Sequence, residues 1–162
     1  MCMKHAKEQL GLEDQNDRLR VFALAECLGL EDDEIEAVKL SDFEPQDGSY
    51  LSLDKQEYLV LLDKEADEHC KEEIMQSLWA FNPNFLVMGM GLEVEAEEMI
   101  RFFADKKCED ANEVFAKMLK DEDEFVNKAI EADGRGHFLS KYDGAEHEVI
   151  VDDVLFFIYR IN

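Results

Sequence analysis

The segment DGRGHFLSKYDG, residues 133–144, sets Asp133, Arg135, His137, Tyr142 and Asp143 among Gly134, Gly136 and Gly144. These residue types suit acid–base work: His137 as general base, Asp143 or Glu146 steering its ring, Arg135 holding an anion. Ser140, the hydroxyl at hand, sits in no nucleophile-elbow pattern. His137 and His147 with Asp143 and Glu146 are also metal-ligand types, but their spacing matches no standard site. A phosphate loop fits less well still, because Gly-Arg-Gly follows no strand and no Gly-Lys-Ser/Thr occurs. A plainer account explains every residue. Gly134 is a left-handed cap on a helix ending near Ala132, Gly136 a second bend, and Gly144 the opening of the turn before the last hairpin. Arg135 would then pair with Asp133 or Asp143. On this account the segment is a structural motif, and no catalytic residue, metal or cofactor is expected.

Two other groupings reduce the same way. His69 and Cys70 are neighbours on a helix, about 100° apart, so they cannot face each other as a dyad. Cys70 reads as a small core residue. Trp79, Phe81 and Phe85 surround a helix break in SLWAFNPNF and read as core, since no basic stripe accompanies them for direct nucleic-acid binding. Cys2, Cys27, Cys70 and Cys108 form no CxxC pair, which points to free thiols in a reducing compartment.

The elements that would position these residues follow from periodicity and caps. A helix is predicted over 17–28 with Gly29 as its C-cap, a short second helix over 31–40, and a loop at SDFEPQDGS, 41–49. QEYLVLL, 56–62, is a strand. Asp63 starts a helix running to about Phe81, where Asn-Pro-Asn interrupts. FLVMGMGL, 85–92, is a helical turn or a short apolar run. Helices follow over 94–106, 110–119 and 121–132. HEVIV and VLFFIYRI, separated by Asp152-Asp153, form a hairpin whose register the turn residues leave open. The expected fold is α+β: a mostly helical single domain with an antiparallel sheet of about three strands, including the C-terminal hairpin. Residues 1–48 make a helical arm and 49–162 the body.

Charge dominates the composition. Forty acidic residues against seventeen basic leave a net charge of −23 over 162 residues. A folded surface of one sign repels itself and costs stability, so either solubility or a strongly basic partner explains it. A chain of this length folds to a globule about 40 Å across. The same length of duplex DNA carries roughly 23 to 24 charges. The totals match, but one face of the protein falls short of DNA unless its acids cluster. No apolar run reaches the ~18–20 residues of a membrane span, and the start MCMKHAKEQLGLEDQ has no signal-peptide core.

Three stretches carry a resemblance. EYLVLLDKEADEHCKEEIMQSLWAFNPNFL (57–86), AIEADGRGHFLSKYDGAEHE (129–148) and FFIYRIN (156–162) resemble, in order and spacing, a family of small acidic proteins of tailed phages and prophages. Leu62 stands where that pattern has Thr, and the first 48 residues lie outside it. The resemblance implies a phage origin and action in the cytoplasm of an infected bacterial host. It implies no activity and no catalytic residues. Combined with the charge, it leads to an expected function: an acidic inhibitor of a basic, nucleic-acid-binding defence protein of the host, of the anti-CRISPR or anti-restriction type. Such a protein would bind no nucleic acid itself. The alternatives are a phage accessory module that binds a protein without mimicry, and an enzyme using His137. The candidate partner-binding acids are Glu31, Asp32, Asp33 and Glu34; Glu93, Glu95, Glu97 and Glu98; and Asp121, Glu122, Asp123 and Glu124.

Overall fold

The structure, a computed structural model, describes residues 15–41 and 48–162. Cys2, the first part of the arm and most of the 41–49 loop lie outside the described residues. In chain order the elements are α1 (Gln15–Leu28), β1 (Lys39–Leu40), β2 (Tyr50–Leu53), β3 (Gln56–Leu61), α2 (Asp63–Gln76), α3 (Pro83–Met90), α4 (Glu97–Lys107), α5 (Asn112–Met118), α6 (Glu122–Asp133), α7 (Arg135–Leu139), β4 (His147–Val151) and β5 (Val154–Arg160). Short 3-10 turns lie at Ile35–Ala37, Leu78–Ala80, Val94–Ala96 and Cys108–Ala111. The fold is α+β and mostly helical, as expected, with one antiparallel sheet ending in a C-terminal hairpin. No described helix is long and apolar enough to cross a membrane.

Two compact units divide the chain: residues up to Glu68 with Arg135–Asn162, and His69–Gly134. In the first, the strand order is β1-β2-β3-β5-β4. The three expected strands are joined by β1 and β2. The segment 31–40, expected to be helical, holds only the 3-10 turn before Val38 enters the core and Lys39 and Leu40 pair with Ser52 and Leu51. Too few residues separate the acids from β-branched Val38 to offset the cost of helix nucleation. Asp54 and Lys55 between β2 and β3, and Asp152 and Asp153 between β4 and β5, all have positive φ. Two positive φ values in a two-residue loop match the twist of the strands it joins. The Asp-Asp turn therefore sets the hairpin register, with Val151 opposite Val154.

Strands β3 and β5 lie at the centre of the sheet, and residues of both parities are buried in each. Both faces of these strands are therefore covered. On one face, Leu19, Val21, Ala23 and Leu24 of α1 form a core with Val38, Leu51, Tyr58, Val60, Phe156 and Ile158. Helix α1 thus belongs to the sheet unit. Its burial is not confined to apolar residues: Phe22 is only half-buried, whereas Arg20 is 4% exposed.

In the second unit, Asn82 caps α3 by accepting the Asn84 N–H at 2.9 Å, Pro83 opens the helix, and Gly91 closes it in the left-handed conformation. The apolar run 85–92 is accordingly a helix with both ends specified. The preceding helix ends at Gln76, earlier than Asn-Pro-Asn, and a 3-10 turn at Leu78–Ala80 fills the interval. Phe81, Phe85 and Phe125 form an aromatic cluster with ring centroids 4.9–5.9 Å apart. Gly89 makes room for it, because a Cβ there would strike the Phe125 ring. Phe125 is buried, whereas Phe81 and Phe85, like Trp79, are half-buried rather than core residues.

Candidate functional site

Within DGRGHFLSKYDG the chain makes a helix where a turn was expected. Gly134 ends α6, its N–H donating to the Ile130 carbonyl at 2.8 Å, and α7 starts at the next residue. Gly134 has the expected positive φ, 79°, but its ψ is 155° rather than that of a left-handed cap. This is a region open essentially to glycine alone. Gly136 is required for another reason. A Cβ there would lie 2.5 Å from the Gly144 oxygen, so α7 rests directly on the Gly144–Ala145 backbone. Gly144 itself has φ 70°.

Arg135 departs from α7 across the Phe157 ring, its guanidinium carbon 4.2 Å from the centroid. Its partners are neither Asp133 nor Asp143. Nε donates to Glu146 Oε2 at 3.0 Å, and Nη1 donates to Asp63 Oδ1 at 2.9 Å and Asp67 Oδ1 at 3.0 Å. Asp63 and Asp67 are one helical turn apart on α2, so one cation reaches both. The Tyr159 hydroxyl donates to the same Glu146 oxygen at 2.5 Å. The Arg135 side chain is 12% exposed. Burial works against its charge, but the Glu146 and Asp63 hydrogen bonds outweigh it and hold the guanidinium pKa above its ordinary value. Three carboxylates thus already surround the guanidinium.

Ser140 and Asp143 are similarly committed. The Ser140 hydroxyl lies 2.7 Å from Asp143 Oδ1 and 3.0 Å from the Arg160 carbonyl. Asp143 Oδ1 also accepts the Ala145 N–H at 3.0 Å. The Ser140 bond and then the Ala145 bond keep the Asp143 carboxyl below the usual carboxylate range. Arg160 stacks over Tyr142 at 3.6 Å. His137 is exposed, its ring set at right angles to that of Phe138 with centroids 5.0 Å apart, and Asp143 is engaged with Ser140 rather than steering it. His147 and Glu146 border an open depression of about 680 Å³ with Glu26, Cys27, Glu148, Val149 and Ile150. Burial pushes the Cys27 thiol up, away from the reactive thiolate.

Arg20 is a second inward-facing guanidinium. It donates to the Val60 carbonyl at 2.5 Å and to both Glu65 oxygens at 2.7 and 2.9 Å. Glu65 in turn accepts the Leu62 N–H, closing the start of α2. Two arginines thus neutralise the acidic first turns of α2 from within the sheet unit. One sequence signal for Arg20 is its place between Leu19 and Val21 in an apolar helix. Nothing local signals that Arg135 reaches residues some seventy positions away.

All but one of the candidate acids are exposed, Glu97 being half-buried. Many have local duties. Asp121 caps α6 by accepting the Glu124 N–H; Glu122 and Asp123 hold Lys71; Glu124 pairs with Lys128, and Glu97 with Arg101. Glu34 accepts the Glu31 N–H. By contrast, Asp32, Asp33, Glu93, Glu95 and Glu98 form no ion pair among the described residues. In the helical unit, Glu93, Glu95 and Glu98 share their surface with Val94, Met99 and Phe102, which are 61%, 60% and 62% exposed. The signal for this was available in the sequence. Apolar residues at 99, 100, 102, 103 and 104 span more of α4 than one buried face can absorb.

Gly134→Val is expected to lower stability by about 1–3 kcal/mol, and Gly136→Ala by about 1–3 kcal/mol through overpacking. His137→Gln should stay within about 0.5 kcal/mol, as exposed sites do. Urea denaturation of the three variants checks this. A Gly136→Ala protein as stable as wild type would contradict the close approach of α7.

Compared with known proteins, the chain matches no family model, no curated protein and no solved structure.

Proposed function

We propose that the protein binds and inhibits a nucleic-acid-handling defence protein of a bacterial host, in the host cytoplasm, by presenting acidic surface to a basic cleft. The observation that supports this most is the contrast in how charge is used. Arg135, Ser140, Asp143 and Glu146, which resemble a catalytic constellation, are tied up inside the sheet unit, whereas Glu93, Glu95 and Glu98 stand exposed with no ion pair among the described residues. Exposed carboxylates of one sign steer a basic partner and speed encounter. The likeness of residues 57–162 to phage and prophage proteins supplies the setting. A second reading, an accessory protein-binding module without mimicry, draws on the exposed Met99 and Phe102, which would anchor a partner of any charge.

The test is DNA cleavage by purified restriction and CRISPR nucleases with and without the protein. Inhibition of at least one enzyme is expected, relieved by competing DNA and weakening steeply between about 50 and 200 mM salt. Glu93→Lys, Glu95→Lys and Glu98→Lys together should weaken it more than charge reversal at Glu31, Asp32 and Asp33. His137→Gln should inhibit like wild type. Loss of inhibition in His137→Gln with an unchanged melt would instead assign function to that loop. Inhibition indifferent to salt and to every charge reversal would favour the second reading.

A further inference from the structure

Resting on that reading, we infer that the docking surface is the outward stripe of α4, and that its occupant is a basic protein surface offering an apolar socket. Ile100 and Ala104 are buried, and Phe103 packs against Phe115 at 5.7 Å, which fixes the inward face of α4. Met99 and Phe102, three residues apart, then lie together on the opposite side. The 3-10 turn leading into the helix adds exposed Val94. Single exposed apolar residues are ordinary, but three about 60% exposed within nine residues form a patch.

Charge around the patch selects its occupant. Glu93, Glu95, Glu98 and Asp105 rim it without ion pairs among the described residues, while Arg101 is paired to Glu97. A cation, Lys106, also lies at the patch, its ammonium 5.8 Å from the Phe102 ring centroid. An apolar centre within a charged rim is the anatomy of a protein interface, with aromatic anchors carrying most of the affinity. A second copy of this chain would bring another net charge of −23 against the same rim, and an anionic membrane would meet it with like charge. A basic protein surface meets neither penalty.

The experiment follows amide chemical shifts of the full chain titrated with a helical peptide built from Lys and Leu, at physiological salt. A matched peptide with every Leu replaced by Gln is the control. Shifts concentrated at residues 93–106 are expected for the first peptide, with binding at least about tenfold weaker for the second. Phe102→Gln should reduce affinity for the Leu peptide by about tenfold while leaving the rest of the spectrum unchanged. Val114→Gln, at an exposed apolar site on another helix, should not. Equal binding of both peptides, or shifts spread over all acidic clusters, would mean net charge alone and overturn the inference. So would a concentration-dependent dimer abolished by Phe102→Gln, which would make the occupant a second copy. The two proposals fail separately. A Phe102→Gln protein that inhibits its nuclease like wild type sinks the docking surface but not the function. Peptide shifts localised at 93–106 with no nuclease inhibited sink the function but not the docking surface.

Discussion

A chain ending at Asp153 is expected to lose the sheet unit altogether. Removing residues 154–162 takes out β5, whose residues Phe157 to Arg160 pair with Tyr58 to Leu61 of β3 and which also carries every pairing of β4. It strips Phe156, Phe157, Ile158 and Tyr159, all buried, from both faces of the sheet. At about 1.5–3 kcal/mol for each large buried side chain, the loss is on the order of the 5–15 kcal/mol that stabilises a whole domain. Because the chain forms two units, a residual melt would not decide the question. Hydrogen exchange of the β3 amides would. In wild type the Val60 N–H donates to the Ser49 carbonyl at 2.8 Å within a covered sheet. In the truncated chain, exchange at Tyr58–Leu61 should reach the rate of an unfolded peptide. Slow exchange there would show that β5 is dispensable.

That strand was readable because VLFFIYR lacks polar alternation, and only a central strand covered on both faces tolerates that pattern. The Gly29 cap, the start of α2 at Asp63 and the acid-led start of α6 were similarly local, and local chemistry is what a sequence displays. Strands β1 and β2 were not readable. Lys39–Leu40 is two residues long, and the β2–β3 turn uses Asp-Lys with positive φ where Asn-Gly would have announced it. β2 exists because β3 offers an edge to pair with, and β1 because β2 does, which is a property of the assembled sheet. The same holds for α7. Its five residues carry too little periodicity to register, and it persists because Gly136 seats it on the Gly144–Ala145 backbone.

The candidate site shows the same division more sharply. Residue types in DGRGHFLSKYDG allowed either a catalytic loop or a structural motif, and the deciding facts lie elsewhere in the chain. Arg135 is claimed by Asp63, Asp67 and Glu146, and Ser140 and Asp143 by each other and by the backbone of 145 and 160. An acidic protein has few cations to spend on its own interior. Two of its arginines nonetheless point inward to the start of α2, where helix-favouring acids at 63, 65 and 67 would otherwise repel one another unneutralised.

Arg135→Met is therefore expected to cost stability rather than a binding function. The substitution keeps an apolar stem over Phe157 and deletes the guanidinium. Glu146, whose side chain is only a quarter exposed, would keep the Tyr159 hydroxyl but lose its cation. Breaking a buried pair by removing one partner costs about 3–5 kcal/mol. Asp63 and Asp67 are mostly exposed, and water screens what they lose, so about 2–3 kcal/mol is the expected total. For a chain of this size that is a fall in Tm of about 5–10 °C. Adding Glu146→Gln should recover part of the loss, because the amide leaves no charge stranded beside Tyr159, and a double-mutant cycle should give a coupling of about 1–2 kcal/mol. Nuclease inhibition by the folded variant should match wild type below its melting range. A variant that melts like wild type yet no longer inhibits would reverse the assignment, making the Arg135 guanidinium a ligand-binding group.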